Sequence, residues 1–414
     1  MKTAEVASTR YAAELDAADS LAAFRHEFVP NPQLVAYLDG NSLGRPTLAA
    51  DRRLQGFAAD EWGDRLIRGW DEGWFDLPLT LGDRLGSAVL GSAPGQTFMG
   101  ESTTVILYKL IHAALTARPD RTELVVDTDN FPTDRYLVQG IAADRGLTVR
   151  WIEPDPAAGV TPEQVAQVVN ERTALVLLSQ VAYRSGYLSD VAAITGITHD
   201  VGALALWDLC HSAGVMEINL DAWGVDLAAG CTYKYLNGGP GSAAFGYVRS
   251  ELITQMQQPI QGWMGAANAF QMGPQYQADA GIRRFISGTP SIMSMLPLAE
   301  SLGMIEQAGV PAIRAKSVAL TDYALELYDA LLAPLGVRLG SPRDAGVRGG
   351  HLTVLHDSFE EILPQLWERG VIPDFRRPNG LRLGLSPLST SFEETRLGVV
   401  AILDALRAVT ENPA

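Results

Sequence analysis

Short apolar runs alternate with helical patterns through the middle of the chain. Between the first four of these runs, amphipathic patterns of period 3.6 predict three helices. Several of the runs are apolar on both faces, so strands formed from them need cover on both sides. The alternation predicts an α/β domain built on a largely parallel sheet. The predicted strands are residues 122–128, 147–152, 174–181, 203–207 and 243–248, and the predicted helices are residues 133–145, 161–170 and 191–201.

The pattern changes after about residue 289. Residues 292–335 are predicted to be mostly helical with a break at 309–311, and a last helix is predicted over residues 392–409. Short strands are expected between them, at residues 350–355, around Phe375 and at 381–385. We therefore expect a smaller α+β unit after the large one. The predicted division is an N-terminal arm (1–45) that packs with the small domain, a large domain (46–290) and a small domain (291–414).

Composition and charge exclude several classes of partner. Hydrophobic residues make up 47% and charged residues 19% of the 414 residues, which is typical of a globular protein with a large core. The formal net charge of −16 argues against nucleic acid and anionic membrane surfaces, because both require a basic patch. No run reaches the length of a membrane span.

Residues 1–28 lack the apolar stretch of an export signal, and Cys210 and Cys231 have no metal-like spacing, so a cytoplasmic location is expected. The six histidines are scattered, and no metal site is expected.

Lysine is rare in this chain, which has only Lys2, Lys109, Lys234 and Lys316. Lys109 and Lys316 fall in helical patterns, where we expect them on ordinary exposed faces. Lys234 differs, since it lies between two tyrosines and just before the glycine-rich turn at 238–241. A primary amine can form a Schiff base, and a guanidinium cannot. Lys234 is therefore the candidate reactive amine.

Polar residues at the carboxyl ends of the predicted strands favour a cofactor near Lys234. The strand at 203–207 is followed by Asp208 and then by His211. Taken alone, Asp208 is equally well interpreted as a helix cap and His211 as a core residue. Pyridoxal phosphate (PLP) requires this combination: an amine for its aldehyde, an acid for its ring nitrogen and donors for its phosphate.

Two further segments provide candidate contacts for such a cofactor. Residues 100–104 offer hydroxyls and backbone amides before the amphipathic run 105–115, where a helix start favours a phosphate. A plain capping cluster is the alternative interpretation. Phe131 offers an aromatic face after the first predicted strand, with Asp134 nearby, although a single phenylalanine at such a place is usually a core residue.

Longer motifs carry a family resemblance that runs nearly from end to end. The segments, in chain order, are 37–44 (YLDGNSLG), 61–63 (EWG), 66–70 (LIRGW), 131–134 (FPTD), 207–214 (WDLCHSAG), 230–241 (GCTYKYLNGGPG) and 288–289 (GT), with looser counterparts at 102–104 (STT) and 181–186 (VAYRSG). Together they resemble the kynureninases, which are aminotransferase class V-like enzymes. The segment 230–241 is the most specific of them.

The resemblance implies a fold-type-I α/β enzyme that uses pyridoxal 5'-phosphate. Such an enzyme is a homodimeric hydrolase that cleaves the side chain of L-kynurenine, or of 3-hydroxykynurenine or a related β-acyl amino acid, to L-alanine and an anthranilate-type acid. In it, Lys234 would be the Schiff-base lysine, Asp208 the partner of the ring nitrogen, and Tyr233 a cofactor contact and candidate acid. The other implied cofactor contacts are Thr103, Thr104, Phe131, Asp134, Ser179 and His211, with Trp263 and Thr289 reaching the phosphate from the neighbouring subunit. Arg382 and Ser42 are the implied substrate contacts, and Arg382 matches the arginine that holds the substrate carboxylate.

Departures from the family pattern cluster where the substrate is expected. Ala266 stands in place of a histidine, Gln180 and Ala182 in place of a histidine and an asparagine, and Ser389 in place of a tyrosine. The substrate is therefore left open, and a PLP-dependent lyase, desulfurase or aminotransferase for another amino acid is the nearest alternative.

Features of the sequence argue against three of the alternatives. A desulfurase needs a reactive thiol on a mobile loop, whereas both cysteines lie beside predicted strand ends. A binding protein without turnover is disfavoured by the joint presence of Lys234, Asp208 and Arg382. A nicotinamide-binding enzyme is weaker still, because no Gly-x-Gly-x-x-Gly motif follows a first strand.

Overall fold

The computed structural model of the chain describes residues 3–411. Residues 1–2 and 412–414, which include Lys2 and the two ends of the predicted arm and small domain, lie outside the described residues. The strands are β1 (Ala36–Leu38), β2 (Thr97–Gly100), β3 (Glu123–Asp127), β4 (Thr148–Ile152), β5 (Thr173–Ser179), β6 (Leu204–Asp208), β7 (Leu227–Gly230), β8 (Ala244–Val248), β9 (Arg338–Leu339), β10 (His351–Leu355), β11 (Val371–Arg376) and β12 (Gly380–Gly384). The α-helices are α1 (Thr3–Val6), α2 (Thr9–Ala18), α3 (Leu48–Gly56), α4 (Leu77–Leu85), α5 (Thr103–Ala117), α6 (Pro132–Arg145), α7 (Pro162–Val168), α8 (Val191–Asp200), α9 (Ile292–Ala308), α10 (Val310–Leu327), α11 (Phe359–Glu368) and α12 (Phe392–Glu411).

A seven-stranded sheet in the order β2-β8-β7-β6-β5-β3-β4 forms the larger part of the molecule. Neighbouring strands from β4 to β7 in this order are parallel, whereas β8 pairs antiparallel with β7 and β2 with β8. The side chains of β5 alternate between two cores: Val176 and Leu178 enter one, and Leu175 and Leu177 enter the other. The predicted cover on both faces of the sheet is thus confirmed, and the carboxyl ends of the parallel strands form one edge.

A second sheet has five strands in the order β1-β11-β12-β10-β9. It encloses a separate core with α12, to which Leu38, Leu352, Leu381 and Val399 contribute. The N-terminal segment joins this core, because β1 pairs in parallel with β11 and Ala12 of α2 is buried in the same cluster. The separate cores support two units. The division at residues 45 and 290 stays a prediction, because Phe28 of the predicted arm and Met295 and Leu302 of α9 pack in a core of the seven-stranded sheet.

Most predicted elements are confirmed, and the differences have physical causes. The predicted helix break occurs at Gly309, whose φ of +76° is a conformation that glycine adopts without strain. The short strands β2 and β7 were not predicted. β2 has only four residues, and β7 (Leu-Ala-Ala-Gly) has neither β-branched nor aromatic residues. In the described residues, no helix is long and apolar enough to cross a membrane.

The expectation that Lys109 and Lys316 lie on exposed faces is wrong. Lys109 is fully buried, and its Nζ contacts Glu101 Oε2 at 2.7 Å and the Phe285 carbonyl oxygen at 2.9 Å. Lys316 is also buried and pairs with Asp19 at 2.7 Å. An ammonium group can be buried when a carboxylate compensates the lost hydration, and the helical pattern alone does not reveal that partner.

Candidate active site

A cavity of about 280 Å³ lies at the carboxyl edge of the seven-stranded sheet. Ligands bind at this edge in open α/β sheets, because loops and helix N-termini converge there. The predicted site residues that line the cavity are Thr103, Thr104, Phe131, Asp134, Asp208, His211, Tyr233 and Lys234. The structure thus brings together most of the residues predicted to hold the cofactor, from four separate segments of the chain.

Lys234 lies in the loop that follows β7 and is almost completely buried, with 8% of its surface exposed. Its Nζ lies 3.3 Å from Nε2 of His211 and 5.9 Å from the ring centres of Phe131 and Tyr233. The loop is closed by Thr232, whose Oγ1 donates to the Ala243 carbonyl oxygen at 2.7 Å. The amine is therefore held inside the cavity by a folded loop.

Three carboxylates gather beside Lys234 at the ends of β3 and β6 and at the start of α6. Asp208 Oδ1 accepts a hydrogen bond of 2.7 Å from the Cys210 amide, whereas Asp134 Oδ2 has no hydrogen-bond partner among the described residues. Burial, followed by the charges of Asp208 and Asp127, holds the pKa of the Asp134 carboxyl well above its usual range. Burial and Asp129 raise the pKa of Asp127 to about 7. A cationic ring nitrogen at this place would be stabilised by charge and by the free acceptor.

The start of α5 forms one wall of the cavity. Ser102 caps this helix by accepting a hydrogen bond from the Val105 amide, and the hydroxyl-bearing residues Thr103 and Thr104 line the cavity. Unpaired amides and the helix dipole at such an N-terminus attract a phosphate. Ser242, Ser291 and Ser294 add further hydroxyl groups to the lining. The donor set therefore fits PLP, with its phosphate at α5 and its ring nitrogen at the carboxylates.

His211 stands between Lys234 and Arg382, whose Nη1 lies 3.4 Å from His211 Nε2. Burial, then the positive charges of Lys234 and Arg382, hold the pKa of His211 well below its usual range. Its ring is therefore neutral at pH 7 and keeps one nitrogen as an acceptor. His211 can accept a hydrogen bond from the Lys234 amine without adding a charge to the cavity.

His351 is a site residue that sequence reasoning missed. It begins β10, is fully buried, and its ring centre lies 5.7 Å from that of His211. Neither ring nitrogen has a hydrogen-bond partner among the described residues. Burial and the charges of Arg382 and Lys234 lower its pKa. No motif marks His351, and only its place on a strand of the second sheet brings it to the site.

Arg382 reaches the site from β12 with all of its surface buried. Its Nε donates to the Asp374 carboxylate, its Nη1 to the Tyr183 carbonyl oxygen at 2.6 Å, and its Nη2 to Ser42 Oγ at 2.9 Å. Arg382 and Ser42, the two predicted substrate contacts, therefore contact each other. Asp374, the carboxylate partner, was not predicted. Arg382 does not line the cavity of Lys234, and its donors are already engaged within the protein.

The segment from Ser42 to Gly44 joins the two predicted halves of the site. Ser42 holds Arg382, while the Gly44 amide donates to the Tyr233 carbonyl oxygen at 2.7 Å. A Cβ at Gly44 would lie 2.4 Å from the Lys234 carbonyl oxygen and 2.3 Å from Asn237 Oδ1. Only glycine allows this close approach to the loop of the reactive amine.

Three predicted cofactor contacts lie outside the lining of this cavity. Ser179 is in register with Asp208 on the adjacent strand, but its hydroxyl donates to Asn130 Oδ1 at 2.8 Å. Trp263 is 41% exposed and packs against Phe270, and Thr289 is exposed as well. The expected role of Trp263 and Thr289 in a neighbouring subunit stays a prediction.

The positions that depart from the family pattern do not form one surface. Gln180 and Ser389 are buried, and neither Gln180 Oε1 nor Ser389 Oγ has a hydrogen-bond partner among the described residues. Ala182 and Ala266 are partly buried, and Ala266 directly follows the buried residues Met264 and Gly265. Of these four, none lines the cavity of Lys234.

Both cysteines are buried beside the cavity. The Cys231 amide donates to Cys210 Sγ at 3.2 Å. The hydrogen bond with Cys231, together with burial, holds the pKa of the Cys210 thiol well above its usual range. Neither cysteine is the exposed thiol that a desulfurase requires. Among residues 3–411, no group of three or more His, Cys, Asp or Glu side chains is placed to hold a metal ion.

Comparison with known proteins agrees with this geometry. The family model of aminotransferase class-V matches residues 98–361. A kynureninase from Pseudomonas fluorescens is 41% identical over 387 residues, which cover 92% of this chain and 91% of the relative. The chain belongs to the kynureninase family. A kynureninase from Burkholderia pseudomallei (strain 1106a) is 40% identical over 98% of this chain and 96% of the relative.

Solved structures show the fold of this kynureninase-family enzyme. A cysteine desulfurase from Thermococcus onnurineus NA1 matches with a TM-score of 0.76 and 19% identity over 90% of this chain and 95% of that one. C-DES with glycine covalently linked to its PLP cofactor matches with a TM-score of 0.79 and 17% identity, over 91% and 98% of the two chains. At these identities the likeness concerns the fold alone. The predicted fold-type-I class is confirmed, and the chain is a PLP-dependent enzyme of the kynureninase family.

Proposed function

We propose that the enzyme cleaves the Cβ–Cγ bond of L-kynurenine, or of 3-hydroxykynurenine or a related β-acyl amino acid. The products are L-alanine and an anthranilate-type acid. One observation carries the proposal: the Lys234 amine, the Asp208 carboxylate and the start of α5 line one cavity in a chain 41% identical to a kynureninase. The roles of the individual residues below are part of the proposal.

Different residues of the cavity would bind different parts of PLP. Thr103, Thr104 and the amides at the start of α5 would bind its phosphate, and Asp208 its ring nitrogen. Phe131, whose ring stands edge-on to Tyr183 at 5.4 Å, offers its face to the cofactor ring. When bound, PLP serves as an electron sink for negative charge on the carbons of the substrate.

Lys234 and Tyr233 are the proposed proton-transfer groups. The Lys234 amine would move a proton at the Cα of a bound substrate, with neutral His211 accepting its hydrogen bond at 3.3 Å. Burial, then the neighbouring Cys231, raises the pKa of the Tyr233 phenol. Tyr233 therefore stays protonated at pH 7 and can donate a proton at the substrate Cβ after the acyl part has left.

Arg382 is the proposed anchor of the substrate carboxylate. Because its Nη atoms donate to Tyr183 and Ser42, a carboxylate must replace at least one of these contacts. The Asp374 contact through Nε can persist and orient the guanidinium. We infer that substrate binding shifts Arg382 and β12 relative to the cavity of Lys234.

A cytoplasmic homodimer with shared sites completes the proposal. It is supported by Trp263 and Thr289, which are exposed and away from the cavity of their own chain. Light scattering tests the dimer. If the sites are shared, mixing inactive Lys234→Ala subunits with impaired Trp263→Ala subunits restores activity, because one hybrid site has neither substitution. Activity no higher than that of the separate variants would contradict a shared site.

The function is tested by supplying the purified holoenzyme with L-kynurenine, 3-hydroxykynurenine and L-cysteine. We expect release of the anthranilate-type acid and alanine in equal amounts from one or both kynurenines. Sulfide release from cysteine without cleavage of either kynurenine would overturn the proposal in favour of a desulfurase. The burial of both cysteines argues against that outcome.

A further inference from the structure

A second cavity, of about 380 Å³, adjoins Arg382. It is bounded by strands β10 to β12 of the five-stranded sheet and by the loop at residues 155–157. Arg382 is one of its lining residues, and none of its lining residues lines the cavity of Lys234. It is therefore a second cavity, and of its lining residues only Arg382 has a role in the function proposed above.

The wall of this cavity is strongly basic in an acidic chain. Four arginines line it, Arg184, Arg376, Arg377 and Arg382, and among the described lining residues Asp155 is the only carboxylate. The whole chain has a formal net charge of −16, so this concentration of guanidinium groups stands apart from its composition. A basic concave surface concentrates anions.

Neighbouring carboxylates compensate only part of this positive charge. Arg377 donates from Nη2 to Glu360 Oε1, which leaves its Nε and Nη1 without a hydrogen-bond partner among the described residues. Asp374 is shared, since its Oδ2 accepts from Nε of both Arg376 and Arg382. The Nη1 and Nη2 atoms of Arg376 have no hydrogen-bond partner among the described residues. Arg184 Nη1 lies 3.5 Å from Asp129 Oδ1, which is too long for a strong pair. Free guanidinium donors in this arrangement suit the two oxygens of a carboxylate.

Part of the remaining wall is apolar, and Thr353 and Asn379 add polar side chains to it. The apolar part is formed by Pro156, Ala157, Leu355 and Pro378. Apolar side chains of this kind pack well against an aromatic ring. A ligand that satisfies both parts of the wall has a ring and a carboxylate on it.

We propose that this cavity binds an aromatic monocarboxylate. The guanidinium groups of Arg376 and Arg377 hold the carboxylate, and the surface formed by Pro156, Leu355 and Pro378 holds the ring. The acid released in the proposed reaction belongs to this chemical class. The binding site nevertheless follows from the cavity alone and stands whether or not the enzyme cleaves kynurenine.

The test is a titration of the holoenzyme with 4-fluorobenzoate, followed by ¹⁹F NMR. We expect saturable binding that weakens by about tenfold in Arg376→Gln and in Arg377→Gln, because each loses a charge-assisted hydrogen bond. Arg343→Gln is the matched control, since Arg343 is an exposed arginine paired with Asp329 and outside the cavity. The neutral probe 4-fluorobenzyl alcohol should bind at least tenfold more weakly than the acid.

The outcomes separate this proposal from the proposed function. Equal affinity in wild type, Arg376→Gln and Arg377→Gln, no saturable binding, or equal binding of the alcohol would each overturn it. Arg377 has 81% of its side chain exposed, so Arg377→Gln is expected to fold and keeps the test decisive. The enzyme could release no anthranilate and still bind 4-fluorobenzoate with an affinity that depends on Arg377. This pair of results would refute the proposed function and support the binding site.

Discussion

The cavity of Lys234 and the surroundings of Arg382 are organised in opposite ways. Around Lys234, polar groups remain unpaired, as Asp134 Oδ2 shows, and they converge on open space. Around Arg382, each part of the guanidinium already has a protein partner, and none of its surface is exposed. The first region is preorganised for a ligand, and the second must exchange contacts before it can bind one. Substitutions in the two regions should therefore affect different measurements.

Loss of the amine is expected to have the largest effect. Lys234→Ala should remove the visible absorbance of the lysine-linked cofactor and reduce turnover by about 10⁴-fold or more. Lys316→Ala is the matched control, because Lys316 is a second buried lysine, paired with Asp19 and outside the cavity. It should lower the melting temperature and keep the visible absorbance. An unchanged visible spectrum in Lys234→Ala would show that Lys234 is not the reactive amine, and the contrast between the two regions would then be lost.

Asp208→Asn should reduce kcat by about 10³-fold and leave KM within a few-fold, because the carboxylate acts on charge that develops during the reaction. Asp226→Asn is its control. Asp226 is a fully buried carboxylate at the other end of the sheet, just before β7, where it pairs with Arg249 and His199. It should lower stability while kcat stays unchanged. Equal effects of the two substitutions on kcat would refute the special role of Asp208.

Arg382→Gln should raise KM for the amino-acid substrate by about 10²-fold, since a charge-assisted contact to the carboxylate is lost. The absorbance of the bound cofactor should not change. Arg348→Gln provides a control, because Arg348 is also fully buried but contacts Asp322 and Thr321 instead. If both variants lose stability but keep KM, Arg382 is a structural arginine, and the region around it has no role in substrate binding.

The smallest expected effect is a change in the pH dependence of the free energy of unfolding, and it comes from one of the carboxylates beside Lys234. The pKa of Asp127 is raised to about 7 in the folded chain by burial and Asp129. Its contribution to stability is thus complete below its unfolded pKa and is lost as pH rises through about 7. Relative to wild type, Asp127→Asn should gain stability between about pH 4 and 8, by at most about 1.4 kcal/mol per pH unit. Melting temperatures across this range, with exposed Asp71→Asn as control, measure it. A difference that does not vary with pH would show that Asp127 is not held neutral.

Much of the cofactor region could be predicted from sequence because its residues lie at the ends of short apolar runs. The runs that became β5 and β6 place Ser179 and Asp208 side by side. The motif around Lys234 is continuous in the chain, so it can be recognised from the sequence alone.

The region around Arg382 could not be predicted in the same way. Its partners Ser42, Tyr183 and Asp374 come from distant parts of the chain and are joined only by tertiary packing. The buried state of Lys109 and Lys316 was missed for a related reason, since hydrophobic periodicity does not register an ion pair. The role of Trp263 in a neighbouring subunit was predicted only through the family resemblance, and the structure of one chain does not test it.

The contact between Gly44 and the loop of Lys234 has a consequence for changing the enzyme's specificity. Ser42 accepts a hydrogen bond from Arg382, and two residues later the Gly44 amide donates one to the Tyr233 carbonyl oxygen. The arm therefore connects the strand of Arg382 in one sheet to the loop of Lys234 beside the other. A redesign that repositions the arginine for a longer or shorter amino acid will also tilt the backbone beside the amine. Directed evolution toward a new substrate should therefore accumulate compensating changes in the arm.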